Sequence, residues 1–500
     1  MPADEEVRTG AGYSPPVSGD TDRMELRSLA VAGARWSVID KWGVRLLNLA
    51  TFAVLGYLLE PAEFGVVAAA QVAVAMAMTF AEQGLAQAVI VDDQDDDETR
   101  STAFWIALGS GLLIALVMAA LAPLIAMALG IPEIVPVLRA LSLVLVLRAL
   151  GSVPDALAQR RLQFKALAVR SVTAAAVGAA IGIGCAIAGA GVWALVAQVL
   201  SQVAVSTLLL WVATRFRPRF RFSMTTARRM WRFGWKVVAI DLFTVTAGQG
   251  DNLVVGAVLG PVALGYYVIA RRLLNVVVDA FTGVMSALSL PVFARLKNDR
   301  PGLIAALRQA TRTSLAVSVP VFGSLAIVAP FLVPLLFGPQ WHDSAKMLQV
   351  LCVTGVVSSL AYFDRGVLLA AGRPGLEIAA IATLAVVTVA AAALGAQASV
   401  FAVAVAIAAR SLLMVPLRLS ILRIALRLDL WAYLRGWLAP LLGGMGLLAS
   451  AAGIWLVMPA QSGWLALSIA AAVGLAAYAA VLWLLDRPLV HTLVGFLRRA

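Results

Sequence analysis

Leu59-Glu60-Pro61-Ala62-Glu63-Phe64-Gly65 separates two apolar runs, 36–59 and 64–90, and Leu259-Gly260-Pro261-Val262-Ala263-Leu264-Gly265 separates another two, 235–259 and 264–291. Both stretches follow the pattern L-x-P-x-x-[FL]-G, and they lie 200 positions apart. One helix needs roughly 20 apolar residues to cross the hydrocarbon core of a bilayer, and proline and glycine punctuate such runs. Each motif therefore reads as a turn between membrane helices, at the same place in two runs of six. An even number of helices returns the chain to its starting side. The two runs thus keep one orientation and are related by an axis along the membrane normal.

The composition requires the same environment. The 500 residues are 61% hydrophobic and 13% charged, with a mean hydropathy of +0.91. A soluble domain is about 45–50% apolar and about 25% charged. Working outward from the two turns, further spans are predicted at 102–129, 134–154, 167–188, 192–214, 313–337, 345–371, 375–395, 399–424, 434–457 and 463–485. The fold class that follows is an all-α polytopic membrane protein of about 14 transmembrane helices, with two six-helix lobes and two C-terminal helices. Its expected parts are a disordered cytosolic tail at 1–28, a first lobe at 29–214, a basic linker at 215–232, a second lobe at 233–427, a helix pair within 428–485 and a C-terminal cytosolic tail at 486–500.

The net charge of +12 would suggest nucleic acid in a soluble chain, but here it is a topological signal. With the N-terminus cytosolic, 30 of the 39 Lys and Arg fall in cytosolic segments or at their edges, two outside and seven within spans. Cytosolic loops of membrane proteins carry that excess, so both termini are placed in the cytosol. The linker RFRPRFRFSMTTARRMWR at 215–232 holds seven arginines and no acid, which suits anionic lipid headgroups and not nucleic acid. The acidic loop VDDQDDDET at 91–99 lacks the glycine and spaced ligands of a calcium loop. It reads as a solvated cap at the positive end of the next helix.

Charges at membrane depth are costly and usually face a bundle interior or a watery cavity. In the first span, Lys41, Arg45, Asn48 and Phe52 recur at helical spacing along one face. Arg45 lies about nine residues in, roughly 13 Å at about 1.5 Å per residue. It either lines a cavity or pairs with an acid such as Asp40. The seventh span holds Asp241, Gln249, Asp251 and Asn252, and the eighth holds Arg271, Arg272, Asn275 and Asp279. Two adjacent arginines cannot both face lipid. They form an anion site suited to phosphate, a salt bridge with Asp251, or both. Glu82, Asp364 and Arg365 lie toward the cytosolic ends of their spans, and Arg148 and Arg410 are open to either reading. Buried carboxylates among these are candidates for proton coupling or gating, because desolvation disfavours their charged form.

No catalytic signature occurs. There is no Walker A loop, GxSxG elbow or HExxH motif. The two cysteines, Cys185 and Cys352, fall in apolar runs, and His342 and His491 are far apart. Neither a metal site nor a cofactor is expected, and no catalytic residue is assigned.

The sequence resembles the polysaccharide and O-antigen flippases, the lipopolysaccharide-biosynthesis branch of the multidrug/oligosaccharidyl-lipid/polysaccharide exporter superfamily. The resemblance is carried by the LEPAEFG turn at 59–65, FAEQGLAQAVI at 80–90, GDNLVVGAVLGPVALGYY at 250–267, LPVFARLKND at 290–299 and LLFGPQWHDSAKMLQVL at 335–351. It implies two lobes around a central cavity, moving a lipid-linked oligosaccharide from the inner to the outer leaflet of a bacterial cytoplasmic membrane by alternating access. Related flippases hold the diphosphate of an undecaprenyl carrier with cationic residues of helices 1, 2 and 8. Residue by residue, that carries over to Arg45, Arg271 and Arg272, while the second span offers Glu82 and no Lys or Arg. Asn48, Gln249, Asp251, Asn252 and Asn275 are then candidates to meet sugar. Lys41, Glu82, Asp241, Asp279, Asp364 and Arg365 are candidates for coupling or gating. A polysaccharide polymerase and glycosyltransferases are the implied partners. The alternatives are a drug or cation antiporter of the same superfamily and a non-transporting membrane scaffold.

Overall fold

The computed structural model describes residues 20–82, 97–220, 223–296, 299–457 and 463–497. Residues 1–19 of the tail, 83–90 of the FAEQGLAQAVI stretch, 91–96 of the acidic loop and the side chain of Glu82 lie outside the described residues. Among the described residues there is no strand. The first lobe comprises α1 (Asp20–Leu58), α2 (Pro61–Glu82), α3 (Asp97–Leu129), α4 (Ile134–Leu141), α5 (Leu143–Arg160), α6 (Phe164–Ile187) and α7 (Val192–Thr214). The second comprises α8 (Met224–Arg295), α9 (Arg300–Phe337), α10 (His342–Ala361), α11 (Asp364–Ala370), α12 (Pro374–Ala396) and α13 (Val400–Leu426), followed by α14 (Leu430–Val457), α15 (Gly463–Leu485) and α16 (Arg487–Leu497).

Among the described residues, twelve segments are long and apolar enough to cross a membrane, against the fourteen expected. The difference has two physical sources. The predicted first span is the C-terminal part of α1, where Asp40, Lys41 and Arg45 interrupt the apolar run. One of the twelve, Val238–Gly283, holds two spans. It bends at Gly260, whose φ of 83° is open to glycine without strain. Along a straight helix Asp251 and Arg271 would stand about 30 Å apart at about 1.5 Å per residue. They are in contact, so α8 doubles back at Gly260 into two antiparallel arms.

Helix also extends beyond the predicted spans. Residues 20–28, expected in the disordered tail, begin α1; α8 starts at Met224, inside the basic linker; and Arg487–Leu497, expected as tail, is helical. None of these stretches has a helix-breaking residue beyond its first two positions except Gly495. At a membrane edge, continuing the helix keeps backbone groups satisfied.

The two turn motifs meet each other. Gly65 packs against the backbone of Pro261, and Gly265 packs reciprocally against Pro61, with no space for a Cβ at either glycine. A repeat legible only as sequence spacing is thus a contact about a local two-fold axis, joining α2 to α8. An aromatic cluster closes this turn end: Phe52 and Phe64 meet edge-on at 5.2 Å, Phe64 and Trp341 at 5.4 Å, and Phe52 and Phe337 at 5.7 Å. Trp341 Nε1 and Gln340 Nε2 donate to the Gly56 carbonyl at 2.9 and 3.0 Å. One continuous apolar core therefore spans both lobes here.

Candidate functional site

Away from the turn end, the lobes meet through side chains of α1 and the second arm of α8. Arg272, Asn275 and Asp279 lie at i, i+3 and i+7, and all three are exposed, so they form one stripe. Opposite them on α1, Arg45 Nη2 lies 4.0 Å from Asp279 Oδ2, and Arg45 rests over the Trp42 ring at 5.9 Å. The Arg272 guanidinium lies over the Phe52 ring at 5.2 Å. Phe52 belongs to the turn-end cluster, so Arg272 sits where the sealed end gives way to the exposed stripe. The arrangement presents two guanidinium groups, one carboxylate and one amide between the lobes. Lys41, one turn before Arg45, is exposed, and Asn48 is half-buried.

The adjacent arginines of α8 have separate roles. Arg271 turns into the hairpin and pairs with Asp251, which is fully buried. Its Nη2 donates to the Gly248 carbonyl at 2.7 Å. Tyr267 OH donates to Asp251 Oδ2 at 2.6 Å, and Asp251 Oδ1 accepts from the Asn252 backbone N–H at 3.1 Å. This network ties the two arms of α8 together and leaves Asp251 no access to solvent. Gln249 and Asn252 are half-buried nearby, and Asp241 is exposed nearer the start of the first arm.

Asp364 and Arg365 also part company. Asp364 is held by Arg418 of α13, whose Nη2 lies 2.9 Å from Oδ1, with a second, shorter contact through Nε. Arg365 lines a cavity of about 230 Å³ inside the second lobe together with Glu377 and Arg410. Arg410 donates to Thr388 Oγ1 at 2.6 Å and to Ser411 Oγ at 3.0 Å. A larger cavity, about 520 Å³, lies inside the first lobe and is lined by Arg148, Asp155, Arg170 and Gln202. Sequence reading missed Arg418, Tyr267, Arg170 and this cavity. Arg170 and Arg418 sit near span ends, where a cation is ordinarily topological, and nothing local marks a tyrosine as a carboxylate's donor.

A family profile described as polysaccharide biosynthesis protein matches residues 54–346. The succinoglycan biosynthesis transport protein ExoT of Rhizobium meliloti (strain 1021) is 29% identical over 330 residues, covering 66% of this chain and 67% of its own length. The lipopolysaccharide biosynthesis protein WzxC of Escherichia coli (strain K12) is 26% identical over 356 residues, covering 70% and 72%. Among solved structures, the lipid II flippase MurJ in an inward closed conformation matches with a TM-score of 0.70 at 12% identity, covering 91% of this chain and 100% of MurJ. At that identity the likeness is one of fold.

Proposed function

The chain belongs to the polysaccharide biosynthesis protein family, and from that premise we propose that it is a flippase carrying a lipid-linked oligosaccharide from the cytoplasmic to the outer leaflet. The observation that carries this reading is the exposed α1–α8 stripe between two lobes sealed at one end. Arg45 and Arg272 supply forked donors that match phosphate oxygens, and charge-assisted bonds of this kind are stronger than neutral ones. Asn275 adds a neutral donor and acceptor beside them. Asp279 keeps the stripe from binding a diphosphate too tightly to release it. Arg271 is committed to Asp251, so the cradle uses Arg45 and Arg272.

The excess of Lys and Arg puts the turn end on the outer face, with both termini in the cytosol. The stripe then opens toward the leaflet in which a lipid-linked oligosaccharide is assembled. The carrier's polyprenyl tail stays in lipid while the diphosphate enters between the lobes. Rocking the lobes until Gly65 and Gly265 part from their prolines exposes the stripe to the other side. The protein accordingly resides in a bacterial cytoplasmic membrane. Glycosyltransferases supply its substrate and a polymerase consumes its product.

A leaflet-resolved translocation assay in proteoliposomes tests the reading. Translocation by the wild-type chain should be lost on changing Arg45 and Arg272 together to Ala. Unchanged translocation in that variant would remove the cationic stripe from the mechanism. Drug efflux by the wild type without any lipid translocation would overturn the flippase reading itself.

A further inference from the structure

The first-lobe cavity has chemistry that the α1–α8 stripe does not use. Arg148, Ser152 and Asp155 follow one another at i, i+4 and i+7 on α5, and Gln202 and Ser206 at i and i+4 on α7. Each set therefore forms a stripe, and both line the same space of about 520 Å³. Several of the polar groups are already occupied. Asp155 accepts from Arg170 Nη1 at 2.6 Å and from Gln159 Nε2 at 2.8 Å. Ser152 Oγ donates to the Ala149 carbonyl at 2.9 Å, and Thr207 Oγ1 to the Leu147 carbonyl at 3.0 Å. Arg148, Gln202 and Ser206 have no hydrogen-bond or ionic partner among the described residues.

An arginine at membrane depth without a counter-ion is costly and marks a ligand or ion pathway. Among the described residues, Arg148 and Arg170 against Asp155 give the lining one net positive charge. That balances a single carboxylate and falls short of a diphosphate. A guanidinium binds a carboxylate through two parallel hydrogen bonds. The free amide of Gln202 and hydroxyl of Ser206 supply the mixed donors and acceptors that sugar hydroxyls require. The volume lies within the roughly 300–1,000 Å³ of small-molecule pockets. In the second lobe, Arg410 and Arg418 are held by Thr388, Ser411, Asp364 and Tyr433, whereas Arg148 has no such partner among the described residues.

We infer that this cavity is a subsite for an acidic sugar of the translocated oligosaccharide, a hexuronate-type unit whose carboxylate pairs with Arg148 and whose hydroxyls meet Gln202 and Ser206. The inference rests on the flippase reading and narrows its substrate to glycans bearing a carboxylate.

Thermal unfolding of the purified full-length protein, with D-glucuronate, D-glucose or inorganic phosphate added separately, tests the subsite. Saturating glucuronate should raise Tm by about 2–4 °C, because a ligand bound only by the folded state stabilises it. Glucose and phosphate should need at least about tenfold higher concentration for the same shift. Arg148→Gln should abolish the glucuronate shift, and Gln202→Leu should weaken glucuronate at least about fivefold. An equal response to glucose, a stronger response to phosphate, or an undiminished shift in Arg148→Gln overturns the subsite. If Arg148→Gln does not fold, an undiminished shift in Gln202→Leu overturns it in the same way. Wild-type translocation without glucuronate binding removes the subsite and leaves the flippase reading in place. Glucuronate binding without translocation overturns that reading and, with it, the assignment of the sugar to a translocated glycan.

Discussion

Gly65 lies against the backbone of Pro261 with no room for a Cβ, and Gly265 repeats the contact on Pro61. Both glycines are helical, so an alanine is excluded by space alone. Overpacking of this kind costs about 1–3 kcal/mol, and the obstacle is backbone, which cannot swing aside as a side chain would. The cost falls only on the state in which the turn ends touch. Gly65→Ala or Gly265→Ala should therefore shift the population toward a turn-end-open state by about 5- to 150-fold. A cysteine placed at Ala69, 1% exposed here, should become reactive to a membrane-impermeant maleimide in either variant. Equal labelling with and without the glycine substitution would sink the prediction.

The Asp251–Arg271 pair calls for a different signature. Asp251 is sealed from solvent and held by both Tyr267 and Arg271. Removing one member of such a pair strands a buried charge, at about 3–5 kcal/mol. Asp251→Ala and Arg271→Ala should each destabilise the protein by that amount, while the double variant should lose less than the sum. Thermal unfolding of the four proteins in a double-mutant cycle measures the coupling. Additive losses would mean that the two side chains do not act as a unit.

Why the sequence disclosed one set of charges and not the other follows from this pair. The helix count, the turn positions and the halves' kinship are periodic or repeated features, visible wherever apolar runs and Leu-x-Pro motifs recur. The alignment of Lys41, Arg45, Asn48 and Phe52 on one face of α1 is local as well. Which of Arg271 and Arg272 faces the lobe boundary is not local. It depends on where a hairpin at Gly260 places Asp251, nine residues before the bend. The first-lobe cavity was hidden for a related reason: Arg148, Arg170 and Gln202 come from three helices, and only packing brings them to one space.

Asp279 tests the stripe without dismantling it. Its ion pair with Arg45 spans 4.0 Å, with side chains 59% and 30% exposed. Exposed pairs of this kind contribute about 0–1 kcal/mol, so Asp279→Asn should leave thermal unfolding nearly unchanged. The substitution nevertheless adds one unit of positive charge beside Arg45 and Arg272. Affinity for a polyprenyl diphosphate should rise a few-fold, with a steeper dependence on salt, because screening acts on exposed charges. Slower release should then lower the steady-state translocation rate. Weaker diphosphate binding in Asp279→Asn would place the anion elsewhere.

α14 and α15 lie outside the two six-helix repeats, and a polar network fastens them to the second lobe. Arg418 of α13 donates to Asp364 at 2.9 Å and to Tyr433 OH at 3.2 Å, and Tyr433 OH shares a hydrogen bond of 3.0 Å with Thr311 Oγ1 of α9. Tyr433 is 1% exposed and Thr311 is fully buried. A second clamp joins Arg312 Nε of α9 to Asp486, just past α15, at 2.7 Å. Tyr433→Phe keeps the ring and removes only the hydroxyl, leaving the buried Thr311 hydroxyl without its partner at about 1–3 kcal/mol. Asp364→Ala should cost more, about 3–5 kcal/mol, because it strands the Arg418 guanidinium. Neither residue belongs to the α1–α8 stripe. Both variants should therefore unfold at lower temperature yet translocate at near wild-type rates where they remain folded. A loss of translocation at full folding would instead make this network, and with it the C-terminal helix pair, part of the transport cycle.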